Sequence, residues 1–328
     1  GTPAGPGLRV MQRASAWNIT GSRVFHTVYL PPPSNRDGGA LLLPLVVEFP
    51  GNACGPGGTT QGAPSYDCGG NWTMQGWGLT EGRDAIWLTL PFITANGSEN
   101  SVYWWGCCGQ PGAMCCGRNP WNLTRNAFTP EPTLAYAKMA IAETLKKHRG
   151  DPDKIVLIGH SRGAIATQAI GGFDDEIASL WRGQIAASHW DGTGGAYEKW
   201  PFTNASAMGG GDGDGDGDAE EKGGGPISRA RRLAKVPKFL VGECDLQINF
   251  AYNWLKDVAN VSVANVRAMS TGFRDHTGFW IARPSPTHAR SEVRKWWRKL
   301  VGLPSLAVQL EQQQQQQQQR ELVGLPPR

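Results

Sequence analysis

Apolar positions along the chain fall into short runs that alternate with amphipathic segments. Residues 23–30 alternate between apolar and polar side chains, and residues 41–49 form an apolar run that ends at Pro50-Gly51-Asn52. Both patterns predict strands, and the continuous run predicts a buried one. Comparable patterns predict further strands over residues 84–90, 155–158, 185–189, 239–241 and 266–269.

Helical spacing of apolar residues separates most of these predicted strands. The spacing is clearest over residues 131–148, where Pro132 marks the start of an amphipathic helix. Further helices are predicted from residue 164 onward and over residues 174–181, 228–234, 250–258 and 291–300. This alternation predicts an α/β fold, with a mostly parallel central sheet and helices on both faces.

The length and composition favour one domain. The chain has 328 residues, of which 40% are hydrophobic, so it can bury a sizeable core. We predict a single domain over residues 1–304, with a flexible Gly/Asp-rich insertion at 208–226 and a disordered Gln-rich tail at 305–328. The longest apolar run, residues 40–49, is about half of the roughly twenty residues that a membrane-spanning helix needs, so no span is expected.

The charge balance argues against a nucleic-acid partner. Lys and Arg number 32 and Asp and Glu number 28, which gives a net charge of +4. Nucleic-acid-binding domains usually show a concentrated basic stripe, so this near balance of charges gives little support to such a function. The oligomeric state stays open.

Six N-x-Ser/Thr sequons indicate a secreted glycoprotein, although chance sequons in a cytosolic protein remain an alternative. They are Asn18, Asn71, Asn96, Asn122, Asn204 and Asn260. The numbering begins at Gly1 without a methionine, as expected of a processed secreted chain.

The cysteines point to the same compartment. They are Cys54, Cys68, Cys107, Cys108, Cys115, Cys116 and Cys244. The first six lie in loop-like sequence where disulfides are common, whereas Cys244 is expected to stay unpaired. The two adjacent pairs lack the C-x-x-C spacing of zinc ligands. The D-G-D-G-D-G repeat of the insertion has Gly223 where a calcium loop needs a bidentate Glu, so no metal site is predicted.

The segment Gly159-His160-Ser161-Arg162-Gly163 has the pattern G-x-S-x-G. An apolar strand runs into it and a helix of small residues runs out of it. That context is typical of a nucleophile elbow, a sharp turn that exposes a serine hydroxyl above a sheet. The alternative is a Gly-rich turn that contains an incidental serine.

A serine hydroxyl is a poor nucleophile unless a base removes its proton, and the base in turn needs an orienting acid. Three histidines follow Ser161 in the chain. His189 falls within a predicted strand and is expected in the core, and His288 is expected to be solvated. His276, in a polar loop after the last predicted strand, is the predicted base.

Asp245 is the predicted acid, because it lies in a loop after the penultimate strand. Glu243, two residues earlier, and Asp191, after the preceding strand, are alternatives. Two backbone N–H groups should bind the oxyanion of the tetrahedral intermediate. They are predicted to be those of Arg162 and Asn52.

The motifs PGN, GHSRG, GECD and DHTGFW, in this order, resemble those of a secreted α/β-hydrolase-fold serine esterase. The resemblance covers about residues 20–300. The layout is similar to that of polyhydroxybutyrate-depolymerase and feruloyl-esterase-like enzymes. It implies ester cleavage through an acyl-enzyme, by Ser161, Asp245 and His276, without a metal or cofactor. The chain departs from those enzymes in its Trp/Cys-rich loop, in Arg162 and in its Gly/Asp insertion.

The loop over residues 96–126 is predicted to border the site as a disulfide-stiffened wall, although a remote surface knot is an alternative. Trp104, Trp105 and His160 are the predicted substrate contacts. The expected partner is a small-molecule or polymer ester, including plant or algal glycan esters. A serine peptidase of the same fold and an inactive glycan-binding protein, which the 14 tryptophans favour, are the alternative functions.

Overall fold

The computed structural model describes residues 5–32, 42–51, 74–101, 130–190, 225–273, 278–282 and 288–305, with isolated positions beyond. Eight strands form one sheet in these residues. They are β1 (Arg9–Gln12), β2 (His26–Tyr29), β3 (Leu43–Phe49), β4 (Ile86–Thr89), β7 (Gly150–His160), β8 (Gly183–Ala187), β9 (Lys238–Gly242) and β10 (Val266–Ser270). Two short strands, β5 (Phe92–Ile93) and β6 (Asn100–Ser101), pair separately.

The strand order is β1-β2-β4-β3-β7-β8-β9-β10. The first two strands are antiparallel to their neighbours, whereas β4, β3, β7, β8, β9 and β10 run parallel. The predicted, mostly parallel sheet is therefore confirmed. Parallel strands place their carboxyl ends at one edge of the sheet.

The described helices are α1 (Gln75–Thr80), α2 (Glu131–His148), α3 (Arg162–Ala169), α4 (Asp175–Ala178), α5 (Pro226–Arg232), α6 (Asp245–Asn253) and α7 (His288–Leu300). A π-helical turn, Trp254–Val258, continues α6, and a 3-10 turn, Gly278–Ile281, precedes α7. None of the helices in the described part of the chain is long and apolar enough to cross a membrane.

Strand β3 explains why residues 41–49 read as a continuous apolar run. Successive strand side chains point to opposite faces of a sheet. Leu45 and Val47 join the cluster that packs against α2 and α3, whereas Val46 joins the cluster under α1 and α7. Both faces are covered, so both sets of side chains are apolar.

The structure differs from the sequence prediction at the start of β7. The strand was predicted over residues 155–158 but begins at Gly150, so the turn-like sequence Asp151-Pro152-Asp153 lies inside it. The pairing with β3 shifts register there, between Leu43 and Leu45. The Asp153 N–H donates to Asp151 Oδ1 at 3.0 Å, a hydrogen bond typical of turns. Within β7 this segment forms a bulge.

Strand β1, helix α1 and the short strands β5 and β6 were absent from the prediction. Strand β1 was missed because only Val10 of its four residues is buried. Helix α1 was missed because it contains Gly76 and Gly78, which disfavour helices. Most of the predicted insertion and tail lies outside the described residues, so their flexibility stays a prediction.

Three sequon asparagines fall within the described residues, and all are exposed: Asn18, Asn96 and Asn260. Asn96 Oδ1 accepts a hydrogen bond from the hydroxyl of Ser98, the third residue of its sequon, at 2.8 Å. Asn71, Asn122 and Asn204 lie outside the described residues. Cys244 is exposed and forms no disulfide. The other six cysteines lie outside the described residues, so the disulfides stay a prediction.

His26 couples the sheet to α2. Its Nδ1 lies 2.9 Å from the hydroxyl of Tyr136, and only 2% of the residue is exposed. Burial lowers the pKa of His26 from 6.5 to about 4, although the nearby Glu143 acts to raise it. The imidazole is therefore neutral in the folded protein at neutral pH.

We expect His26 to make the protein less stable in mild acid. Between pH 6.5 and about 4 the unfolded chain binds a proton that the folded chain does not, so stability rises with pH across this window. The contribution is about 3 kcal/mol. Urea unfolding at pH 4.5 and 7 should show a smaller pH difference for His26→Gln than for the wild type. His288→Gln, at an exposed histidine, is the control and should behave like the wild type. An unchanged difference in His26→Gln would contradict this assignment.

Candidate active site

The predicted site residues follow strands whose carboxyl ends share one edge of the sheet. Strands β3, β7, β8, β9 and β10 are parallel neighbours, and each predicted segment begins where one of them ends. Ligands of open α/β sheets bind at this edge. The topology therefore brings the ends of β3, β7 and β9 to the same side of the molecule.

Ser161 lies between β7 and α3 in a conformation that few non-glycine residues adopt. Its φ is 56° and its ψ is −125°. Its N–H donates to Ala187 O of β8 at 3.0 Å, and its own carbonyl accepts from the Ala164 N–H at 2.9 Å. Such a conformation costs about 1–3 kcal/mol and persists only where the surroundings impose it. The predicted strand–turn–helix context is confirmed.

Two glycines allow this turn. A Cβ at Gly163 would lie 2.1 Å from Phe49 O and 2.7 Å from Pro50 O, both at the end of β3. A Cβ at Gly159 would lie 2.2 Å from the carbonyl oxygen of Gly163. No side chain fits at either position, since the obstructing atoms belong to the backbone. The G-x-S-x-G spacing is thus a packing requirement of β3, β7 and α3.

The first turn of α3 offers backbone donors beside Ser161. Arg162 and Gly163 are its first two residues, and the first N–H groups of a helix have no acceptor within it. Such groups attract negative charge. His160, the last residue of β7, is 7% exposed and directly precedes the serine.

The end of β9 carries two of the three candidate acids. Asp245 is the first residue of α6 rather than part of a loop, and it is exposed. Glu243 is partly buried in the link between β9 and α6. The Thr271 N–H donates to Gly242 O at 2.7 Å, which ties the end of β9 to the end of β10. The segment that contains His276 leaves from the end of β10.

The remaining predicted residues lie outside the described part of the chain, so their roles stay predictions: Asn52, Trp104, Trp105, Asp191 and His276. His288 is the exposed first residue of α7, and His189 is buried, as the sequence predicted for each. In the described residues, no three His, Cys, Asp or Glu side chains form a group that could hold a metal ion.

Sequence reasoning missed a second strained serine next to the elbow. Ser188 directly follows β8 and has a φ of 82°. Its N–H donates to Val241 O at 2.7 Å, and its hydroxyl lies 2.7 Å from His189 Nδ1. Both residues are buried. A serine offers no sequence signal for a positive φ, unlike a glycine.

Sequence reasoning also missed the buried carboxylate of Glu48 in β3. It is 1% exposed, and its Oε2 accepts hydrogen bonds from Trp87 Nε1 at 2.7 Å and from the Gly76 N–H at 2.9 Å. Burial raises the pKa of Glu48 to about 7, against the opposing effect of its hydrogen bonds. The available signal was a lone charged residue inside the apolar run over residues 41–49.

Solved structures of known proteins share the overall fold of this chain. No protein-family model matches the sequence, and no curated protein matches it. The isopeptidase AtxE2 with Astexin3-dC4 bound is 16% identical, with a TM-score of 0.51 over 96% of this chain and 43% of its own. A thermostable esterase is 16% identical, with a TM-score of 0.45 over 89% of this chain and 62% of its own.

FphF, a fluorophosphonate-binding serine hydrolase of Staphylococcus aureus, is 11% identical, with a TM-score of 0.49 over 90% of this chain and 99% of its own. The chain spans less than two thirds of the length of the isopeptidase and of the thermostable esterase. At these identities the likeness concerns the fold.

The packing at Gly163 gives a direct test of the elbow. We expect Gly163→Ala to lower the free energy of unfolding by about 2 kcal/mol or more, because the added Cβ would overlap Phe49 O. Gly5→Ala is the control, since a Cβ there would lie 3.5 Å from Leu8 Cδ1, an ordinary contact. Urea unfolding of the two variants checks this. Equal stability of the two variants would contradict the close approach of β3 and α3.

Proposed function

The chain has the α/β-hydrolase fold, and on that basis we propose that it is a serine hydrolase that cleaves carboxylic esters. The observation that supports the proposal most is the backbone conformation of Ser161. This serine is held at a strained φ of 56° between a parallel strand and the N-terminus of a helix. A nucleophile elbow requires that placement.

The proposed mechanism is a two-step acyl transfer. His276 takes the proton of the Ser161 hydroxyl as its oxygen attacks the ester carbonyl, while Asp245 orients the imidazole. The N–H groups of Arg162 and Asn52 stabilise the oxyanion. The tetrahedral intermediate collapses, the C–O bond to the alcohol breaks, and His276 returns the proton to the departing alcohol.

The second step releases the acid. A water molecule gives a proton to His276 and attacks the acyl-enzyme, and the proton returns to the Ser161 oxygen as that oxygen leaves. Both steps use only groups of this chain and one water, so the proposal includes no metal or cofactor. In this scheme His160, Trp104 and Trp105 contact the substrate.

We further propose that the enzyme is secreted and glycosylated and acts on small-molecule or polymer esters, including glycan esters. The exposure of Asn18, Asn96 and Asn260 supports this, because a glycan needs an accessible asparagine. Disulfides among the first six cysteines form part of the same proposal.

A serine peptidase is the alternative function. The isopeptidase AtxE2 shares the fold, and a peptidase would use the same nucleophile and oxyanion donors. The chain spans 43% of the length of that protein, so the fold alone supports this alternative. Hydrolysis of nitrophenyl esters compared with that of peptide anilides separates the two.

We expect Ser161→Ala to remove fluorophosphonate labelling and to lower the hydrolysis of p-nitrophenyl acetate by about a thousandfold or more. The labelling reagent bonds only to an activated serine. Ser179→Ala, at an exposed serine that follows α4, is the control and should react like the wild type. Retained labelling and activity in Ser161→Ala would refute the proposed nucleophile, and an unlabelled wild type would favour a binding protein.

We expect Asp245→Asn to reduce kcat for p-nitrophenyl acetate far more than Glu243→Gln does. The neutral amide of Asn cannot stabilise the imidazolium of His276, and effects of this kind reach about ten-thousandfold. The kcat values of the two purified variants, measured at one pH, provide the test. If Glu243→Gln is the more damaging change, the acid is Glu243.

A further inference from the structure

Glu48 is the residue of β3 that links this strand to α1. Its Oε2 accepts from the Gly76 N–H at 2.9 Å and from Trp87 Nε1 at 2.7 Å, and its Oε1 accepts from the Gln75 N–H at 3.3 Å. Gln75 and Gly76 are the first two residues of α1. One buried carboxylate therefore satisfies two N–H groups at the start of that helix.

This carboxylate connects the two ends of the segment that follows β3. The strand ends at Phe49, and α1 begins at Gln75. Glu48 belongs to β3, before this segment, and accepts hydrogen bonds from α1, after it. A buried hydrogen-bonded contact therefore fixes the distance between the end of β3 and the start of α1.

The end of β3 is also the surface on which the elbow packs. Glu48 is paired with Ile158 of β7, and Phe49 is paired with Gly159. Phe49 O and Pro50 O leave no room for a side chain at Gly163, two residues after Ser161. A displacement of the end of β3 would therefore reach the first turn of α3 directly.

The surroundings of Glu48 are arranged for a negative charge. All three hydrogen-bond partners named above are donors. The Arg9 guanidinium of β1 lies 3.9 Å from the centroid of the Trp87 ring, and its field favours the ionised carboxylate. Protonation would add a fourth donor to this set and weaken the contacts with Gln75, Gly76 and Trp87.

Titratable side chains of α7 and β2 bond to the C-terminal half of α1 and to the residues that follow it. Arg294 of α7 donates to Glu81 Oε1 at 2.7 Å and also bonds to Gly78 O. The Tyr29 hydroxyl of β2 donates to Gly82 O at 3.1 Å. Helix α1 itself, Gln75–Thr80, contains no ionisable residue.

We propose that Glu48 is a positioning residue for the Ser161 site, whose ionised carboxylate holds the end of β3 and the start of α1 in the arrangement on which the elbow packs. The inference rests on the proposed function. Glu48 touches no reacting atom and acts through Phe49, Pro50 and α1. A residue that served folding alone would affect stability without changing the pH dependence of the chemistry.

The test compares Glu48→Gln with the wild type across pH 5–9, using kcat and KM for p-nitrophenyl acetate and the rate of fluorophosphonate labelling. Gln keeps the shape of Glu48 but cannot carry its charge. We expect kcat at pH 8 to fall about tenfold with KM within about twofold. Burial raises the pKa of Glu48 to about 7, so on the acid side wild-type kcat should depend on two ionisations, that of the base His276 and that of Glu48. Glu48→Gln should lose one of the two and show a shallower acid limb.

Asp84→Asn is the matched control. Asp84 is a second buried carboxylate, paired with Arg298 at 2.9 Å at the opposite edge of the sheet, before β4. Its φ of 64° suits an asparagine. We expect this variant to lose stability but to keep the wild-type pH profile of kcat.

A second variant keeps the proposal testable if Glu48→Gln does not fold. Trp87→Phe removes one donor to the carboxylate and keeps an aromatic ring beneath Arg9. Because a lost donor disfavours the ionised form, the ionisation near pH 7 should move to higher pH. An unmoved profile in this variant overturns the inference.

The outcomes separate this inference from the proposed function. If the wild type is not labelled at Ser161, the proposed function fails and this inference falls with it. If the wild type is labelled and Glu48→Gln folds with the wild-type kcat and pH profile, only the role of Glu48 is overturned. The same conclusion follows if Asp84→Asn changes the profile as much as Glu48→Gln does.

Discussion

The close approach of β3, β7 and the first turn of α3 is the constraint on which the rest of the site depends. Backbone atoms of Phe49, Pro50 and Gly163 meet where no Cβ would fit, so only glycine serves at position 163. This contact forces the strained conformation of Ser161, because the chain must turn from strand to helix within one residue. The tightly packed core on both faces of the sheet maintains that strain.

Much of the fold could be predicted from the sequence because the central strands are buried on both faces. Continuous apolar runs predicted where β3 and β7 lie. The helical spacing of apolar residues predicted the limits of α2, residues 131–148. The missed elements include β1 and α1, which are short and weakly patterned, so tertiary packing rather than local preference specifies them. The bulge in β7 fell outside the predicted strand because its local chemistry is that of a turn.

The candidate site was predictable to the extent that it follows local rules. Ser161 could be located because two glycines and their flanking elements mark it. No such local motif marks Glu48, because its contacts join residues that lie far apart in the chain. None marks the Ser188–His189 pair either, because its arrangement depends on an unusual backbone angle at Ser188. A charged residue within an apolar run indicates a buried polar contact, but it does not name the partner.

The pairing of β3 with β7 has a consequence for how the chain folds. Leu45 and Ile155 are neighbours at the centre of the sheet but are separated by more than a hundred residues in sequence. Such contacts form slowly, because a long loop must close before any pairing repays its entropy. Until β7 arrives, one edge of β3 has no strand to pair with. Ser161 can thus reach its strained conformation only late, after the two halves of the sheet have met.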